Sequence, residues 1–417
     1  MSLSIQEITA RKVFNNRGEE TIEVDVLTES GFGRASAPAG KSRGKAEAAY
    51  YPPGGVDQAI EKVEKVLSPE LTGLPVDLQE EIDYILRKID GTPNFEVIGG
   101  NTAFAVSLAT AEAAANSYGL SLFQYLGGYL AHKLPYPLGN VISGGKHGKE
   151  KTPDIQEFLV LPYGAKSFLQ AMVANTKVHR KTGKILKTKS EVFGGGKSDE
   201  GAWISDVTDL EALDILVEVC EEVSSEVGFK LGLGVDVAAS SLWDREKEFY
   251  IYNREKKKRD SGEQLEFIRE LIEKYPLIYV EDPFHEEDFH LSSELNNSVT
   301  NCLICGDDLF VTDTERLSRG IKMNAANSII IKGNQVGTLT DAWKAVELAK
   351  GADWAPAMSH RSGDTCDRHI AHLAVAFGCP IIKTGIVEGA RIAKLNELIR
   401  IEDFLGDRAK IVNIPLA

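Results

Sequence analysis

Residues 328–339 read SIIIKGNQVGTL. Three isoleucines after a serine fit a strand buried on both faces, as in a parallel sheet packed beneath helices. The run stops at Lys332 and passes into a loop of Gly, Asn and Gln. A lysine closing an apolar strand needs a reason, and the ends of the neighbouring strands supply one. KLGLGVD ends at Asp236, LIYVED supplies Glu281, CLICGD supplies Asp307, WAPAMSH ends at His360 and PIIK ends at Lys383. From Glu281 to Lys383 the five strand ends lie 26, 25, 28 and 23 residues apart, the length of one strand plus one helix. Helical stretches such as SGEQLEFIRELIEKY and TLTDAWKAVELAKG fill the intervals. Repeated β–α units imply a parallel sheet, and this many of them favour a closed β/α barrel. Such barrels carry their active site at the C-terminal strand ends. Six polar or charged ends in succession are hard to explain as packing.

Upstream the pattern differs. IQEITARKVF, ETIEVDVLTES and FGRASAPAG are separated by the turn-like NNRGE and SG, which predicts an antiparallel meander. Helical periodicity follows over 55–67, 76–89 and 99–117, the last Ala-rich and closed by Gly119. The sequence therefore predicts an N-terminal α+β domain over 1–131 and a barrel over 132–417, with HKLPYPLGN (132–140) as a linker.

The chain has 417 residues, 47 Lys plus Arg against 62 Asp plus Glu, and a net charge of −15. That balance argues against nucleic acid as a partner, which demands basic patches. It leaves room for a small anion held by a local cluster of cations. No stretch reaches the roughly 18 apolar residues of a membrane span, and MSLSIQEITARKV lacks the apolar core of a signal peptide. Five cysteines without a disulfide pattern fit a reduced, cytoplasmic setting. Cys302 and Cys305 form a C-x-x-C inside an apolar run, where cysteine acts as a small hydrophobe. GKS occurs in AGKSRG and GGGKSDE, but the earlier glycine of a P-loop is missing from both. NREKKKRD (253–260) reads as a solvated turn.

Asp236, Glu281 and Asp307 would repel one another at a barrel mouth unless a cation lay among them. All-oxygen donors select a hard divalent ion, Mg²⁺ first. Three separate ion pairs with basic neighbours are the alternative. Lys332, beside that cation and desolvated, should have a lowered pKa and serve as a general base. The plainer reading is a salt bridge to one of the carboxylates. A base beside a metal suggests removal of a proton α to a carboxylate. Arg361 and Ser362, after His360, offer a fork and a hydroxyl to an anion, with Lys383 as a second cation. Asp199 and Glu200 sit in a Gly-rich loop, where a carboxyl could serve as an acid for a leaving hydroxyl. Gln156 and Glu157 open another strand-like run, and His147 projects from SGGKHG.

Taken together, VEDPF (280–284), GDDLFVT (306–312), IIKGNQVGTL (330–339), MSHRSGDT (358–365) and IKTG (382–385) resemble the enolase (phosphopyruvate hydratase) family, over nearly the whole chain. The resemblance implies an N-terminal α+β domain, a modified β/α (TIM-like) barrel and at least a homodimer. It implies the Mg²⁺-dependent interconversion of 2-phosphoglycerate and phosphoenolpyruvate plus water, a lyase step of glycolysis and gluconeogenesis. A lysine base with Mg²⁺ stabilising an enediolate is the pairing of that superfamily. By motif, Asp236, Glu281 and Asp307 would hold the first Mg²⁺, and Ser42 in PAGKSRG a second. Lys332 would take the C2 proton. Glu200, backed by Glu157, would assist loss of the hydroxyl. His147 and His360 would line the pocket, with Gln156 near the catalytic carboxyls. Arg361 and Ser362 would grip the phosphate, and Lys383 the substrate carboxylate.

The departures lie around that set. FNNRGEETIEV stands for a usual LDSRGNPTVEV, with Asn16 in place of Ser. PAGKSRG stands for PSGASTG, which makes Ala39, Lys41 and Arg43 unusual. Tyr51, Pro52, Pro53 and Gly54 replace an R-D-G stretch. KSDEGAWIS stands for VGDEGGFAP, introducing Lys197, Ala202 and Trp203, and IVEGAR puts Glu388 where an Arg is expected. A rewritten lid leaves two alternatives: a lyase for a different 2-hydroxy acid anion, or a paralogue without catalysis.

Overall fold

The computed structural model describes residues 3–41, 44–148, 151–189 and 193–414. The meander is present as β1 (Glu7–Phe14), β2 (Glu20–Leu27) and β3 (Phe32–Ser36), antiparallel in the order β1–β2–β3. Ile22, Val24 and Val26 are buried while Glu20 and Leu27 at the strand's ends are exposed. Helices follow as α1 (Gly55–Lys62, continued by a π-turn to Leu67), α2 (Gln79–Asp90) and α3 (Gly100–Ser117). α3 is apolar nearly all round because it is covered on both sides. The meander packs so closely on it that a Cβ on Gly33 would sit 1.9 Å from the Ala109 carbonyl oxygen. Past its end Gly119 takes a left-handed conformation (φ +68°), as a C-terminal glycine should.

The barrel has eight strands: β4 (Tyr136–Ser143), β5 (Glu157–Leu161), β6 (Gly232–Asp236), β7 (Leu277–Glu281), β8 (Leu303–Gly306), β9 (Ser328–Ile331), β10 (Ala355–Ser359) and β11 (Ile381–Lys383). They pair in chain order, and β11 pairs β4 in parallel to close the ring. From β6 to β11 all pairs are parallel, whereas β5 runs antiparallel to both β4 and β6. The reversal brings the start of β5 to the end of the barrel where the other strands finish, and Glu157 lies opposite both Ser143 and Asp236.

Two sequence expectations change. HKLPYPLGN is not a linker: residues 133–134 form a short strand, and 136–140 begin β4, buried throughout. Its prolines suggested a break, but Pro137 is accommodated opposite Ile382 at the closing seam. NREKKKRD is more than a turn. Lys257–Arg259 is an edge strand of a three-stranded sheet, and the Arg259 guanidinium lies over Tyr252 and Phe267 at 4.0 and 3.7 Å. Cys302 and Cys305 are buried and unbonded, with thiol pKa values raised by burial.

Candidate active site

The polar strand ends converge on one cavity. It is lined by Lys41, Glu47, His147, Gln156, Glu157, Glu200, Asp236, Asp307, Asp308, Lys332, His360, Arg361, Ser362 and Lys383. Ring order dictates who faces whom. Glu157 opens β5 and Lys332 follows β9, four strands away on a ring of eight, so the two stand across the mouth from each other. Asp236, Glu281 and Asp307, from β6, β7 and β8, occupy one arc between them. His360, Arg361, Ser362 and Lys383, from β10 and β11, and His147, after β4, occupy the other.

The acid side is a buried cluster. Glu200 is carried inward by its Gly-rich loop and is only 3% exposed. His147 Nδ1 lies 3.6 Å from Glu157 and 3.8 Å from Glu200, and His360 Nε2 lies 3.6 Å from Glu200. Asn140 donates to Glu200 at 3.2 Å. Burial works against the charge on Glu200, but His147, His360 and Arg391 outweigh it and hold its pKa well below the usual range. Burial, and then the charge of Glu200, push Glu157 well above it. The two carboxyls are thus pushed in opposite directions, Glu157 toward the protonated form and Glu200 toward the carboxylate. Burial also pushes His360 down to about 4, leaving its imidazole neutral at pH 7.

The base side departs from expectation. Lys332 is buried and makes an ion pair with Asp307. Burial pulls its pKa down as foreseen, but Asp307 more than compensates, and the pKa is raised. The salt bridge considered as the plainer reading is thus what the structure contains. Gln335 holds the other Asp307 oxygen at 3.1 Å. Lys383, expected to meet a substrate carboxylate, here faces carboxylates of the chain itself. Its ammonium lies 3.1 Å from Glu157, 3.1 Å from Asp236 and 2.8 Å from Glu281. A cation does lie among the strand-end carboxylates, and it is this lysine. Even so, burial and the Asp236 charge push Glu281 up to about 8. Burial and Asp307 push Asp308 up to about 7. This arc is under-neutralised, and its donors are all carboxylate oxygens, which fits a hard divalent cation. Asp282, Asp307 and Asp308 bring carboxylate oxygens within 4.8 Å of one another, as do ligand atoms of His147, Glu157 and Glu200.

Arg361 is buried, and its fork is engaged within the chain. Glu47 accepts from both terminal nitrogens at 3.0 and 3.2 Å, Asn334 from Nη1 at 3.2 Å and the Tyr50 hydroxyl from Nη2 at 2.7 Å. Ser362 Oγ accepts the Lys41 amide at 2.8 Å. Gln156 Nε2 reaches Asp236 at 3.4 Å, while Gln156 Oε1, His147 Nδ1 and His360 Nδ1 are buried without a hydrogen-bond partner. Ser42 and Arg43 lie outside the described residues.

Sequence reasoning missed Glu47, Tyr50, Asn140, Asp282 and Arg391. Arg391, fully buried, donates to the carbonyls of Arg361, Ser362 and Asp199 and so ties two site loops together. Glu47, Tyr50 and Asn140 lie in stretches without a strand-end signal, whereas Asp282 and Arg391 sit inside the quoted VEDPF and IVEGAR and were overlooked there. Among the departures, Lys197 turns out to be the partner of both Glu388 and Trp203. Lys197 pairs with Glu388 at 3.0 Å and lies 5.5 Å above the Trp203 ring, and none of the three lines the cavity.

Comparison with known proteins agrees with this architecture. The family model described as "Enolase, N-terminal domain" matches residues 5–126, and that described as "Enolase, C-terminal TIM barrel domain" matches 131–414. The chain is 52% identical to the enolase of Methanothermobacter thermautotrophicus, over 97% of each chain. It is 49% identical to that of Pyrobaculum aerophilum, over 99% of this chain and 100% of the relative. With that of Halorubrum lacusprofundi the identity is 46%, over 96% and 98%. The reversed second barrel strand, the carboxylate arc and both family matches lead to one assignment: the chain belongs to the enolase family.

Proposed function

We propose that the protein interconverts 2-phosphoglycerate and phosphoenolpyruvate plus water, and that it depends on Mg²⁺. The observation that carries the reading is the placement of Lys332 and the Glu157–Glu200 pair across the barrel mouth. Loss of water from a 2-phospho-3-hydroxy acid needs a base at C2 and an acid at the C3 hydroxyl on opposite faces. One side of the mouth holds an amine and the other a pair of carboxyls whose proton affinities are pushed apart.

In this reading Lys332 takes the C2 proton from its neutral form. Asp307 now keeps that amine protonated, so catalysis requires Asp307 to be engaged elsewhere. Asp236, Glu281 and Asp307 are the residues that would hold Mg²⁺, which when bound neutralises charge building on the substrate carboxylate. Lys383 then exchanges its present carboxylate partners for the substrate's. Glu157 supplies the proton and Glu200 delivers it to the departing hydroxyl, with Asn140 fixing the Glu200 carboxylate. His147, His360 and Gln156 offer their unpaired polar atoms to substrate. Arg361 and Ser362 face the phosphate, and Ser42 would serve a second Mg²⁺. We further propose a division into domains near residue 131, a cytoplasmic setting and a homodimer or larger homo-oligomer. No helix among the described residues is long and apolar enough to cross a membrane.

A lyase for a different 2-hydroxy acid anion has one supporting observation: Lys41, from the rewritten loop, lines the cavity. The pairing of Lys197 with Glu388 and Trp203 away from the cavity favours the first reading. The deciding experiment is the ultraviolet absorbance of the enol phosphate on mixing protein, 2-phosphoglycerate and Mg²⁺, with a chelator control. Turnover abolished by the chelator is expected. Absence of turnover in protein that binds Mg²⁺ would transfer the assignment to another hydroxy acid.

A further inference from the structure

Tyr50 belongs to neither the barrel nor a regular element, yet its hydroxyl oxygen accepts two hydrogen bonds from two parts of the molecule. One comes from Arg361 Nη2 at 2.7 Å, after β10. The other comes from the backbone amide of Gly40 at 3.1 Å, in a segment that lines the cavity. The guanidinium also lies 5.6 Å from the centre of the Tyr50 ring. Around this atom the loop is stitched to the segment after β10. Ala39 and Gly363 exchange both backbone hydrogen bonds, at 2.7 and 2.8 Å, and the Lys41 amide donates to Ser362 Oγ at 2.8 Å.

We infer that Tyr50 is a positioning residue for Arg361, one that makes the set of the anion-facing guanidinium depend on residues 39–41 lying against the segment after β10. This rests on the reading of Arg361 as a phosphate contact given above. The geometry assigns different tasks to the partners of the fork. Nη1 is held by Glu47 and Asn334, and Nη2 by Glu47 and Tyr50. Without the Tyr50 oxygen, the Nη2 end loses its 2.7 Å acceptor, the shortest of these four bonds, and the fork is less firmly set. The Gly40 amide loses its acceptor at the same moment, so loop and arginine loosen together. A phenylalanine fills the same space and keeps the ring beneath the guanidinium, but it accepts nothing. Glu47 would still hold the guanidinium's charge in the site, which leaves orientation as the property Tyr50 controls.

The test uses the full-length chain and three variants: Tyr50→Phe, Arg361→Met and the double substitution. Two quantities are read, KM for 2-phosphoglycerate and the inhibition constant of inorganic phosphate, with kcat measured alongside. Tyr50→Phe is expected to raise both by about tenfold while kcat changes by less than about threefold, the signature of weakened binding common to ground and transition states. Arg361→Met should raise both further, and the double variant should be no worse than Arg361→Met, because Tyr50 acts only through the arginine. If Arg361→Met raises both constants but Tyr50→Phe leaves them unchanged, the inference falls and the reading of Arg361 stands. If the Tyr50→Phe effect persists in full on the Arg361→Met background, Tyr50 acts through the general fold and the inference is overturned. If Arg361→Met changes neither constant, Arg361 is no phosphate contact and both fall.

Discussion

The floor of the barrel mouth and its rim are built by different rules. The floor consists of side chains fixed at strand ends: Glu157, Asp236, Glu281 and Lys383, with Asp307, Lys332 and His360 one residue beyond their strands. Their positions follow from the ring of hydrogen bonds, so few alternatives exist for any of them. The rim consists of loops, residues 38–41, 44–54, 193–202 and 361–368, and Ala39, Lys41, Lys197 and Ala202, departures from the family pattern, lie in them. What holds the rim is pairwise: Lys197 with Glu388, Arg361 with Glu47 and Tyr50, Arg391 with three carbonyls. A scaffold position admits little change, whereas a pair can be replaced by another pair.

That contrast can be broken by mutation. Lys332→Ala should produce the largest loss, about 10²–10⁴-fold in kcat, with the fold retained, as read in the enol phosphate assay. An active Lys332→Ala enzyme would remove the floor's base. Glu200→Gln keeps the shape but cannot take up or release the proton, and about 10²–10³-fold loss is expected, with binding of Mg²⁺ intact by calorimetry.

Beneath the rim, His369 is a sharper case. It is buried between Asp367 and Glu112, the latter on α3, and so joins the loop after Arg361 to the first domain. Burial alone would lower its pKa, but Asp367 and Glu112 raise it to about 10. A group raised in the folded state contributes stability that is complete below its unfolded pKa, about 6.5, and is lost as pH rises through about 10. His369→Gln should cost about 3–5 kcal/mol at neutral pH by denaturant unfolding and should flatten the alkaline decline. An unchanged pH profile would mean that the seam does not rest on this charge. The smallest effect is expected at the rim itself. Lys197→Ala breaks an exposed pair worth about 0–1 kcal/mol, and kcat should stay within about twofold. A large loss there would show that the rewritten rim sets the position of Glu200.

The same contrast explains what the sequence made legible. Floor residues were readable because an apolar run ending in a polar residue, repeated at β–α spacing, is a local signal. The three carboxylates, Lys332, His360 and Lys383 all came from it, as did the barrel. Arg361 was readable as an anion ligand, but its partner Glu47 lies 314 residues away, and one-dimensional pattern does not pair them. Lys332 shows a subtler limit. Its burial was foreseen, while the sign of its pKa shift depended on which neighbour the amine touches, and that contact exists only in three dimensions. HKLPYPLGN misled because prolines normally mark breaks, and only ring closure reveals a place for Pro137.

The seam between β4 and β11 bears on how such a chain can be made. Tyr136, Pro137 and Leu138 find their partners in Ile381, Ile382 and Lys383, more than two hundred residues later. During synthesis the first barrel strand emerges long before the last, and until then the backbone groups on its closing side lack their sheet partner. An unpaired edge of this kind invites pairing with other chains, and long-range closure is slow. A ribosome-bound or truncated chain ending before residue 381 should therefore be a substrate for chaperones even with every catalytic residue but Lys383 already made.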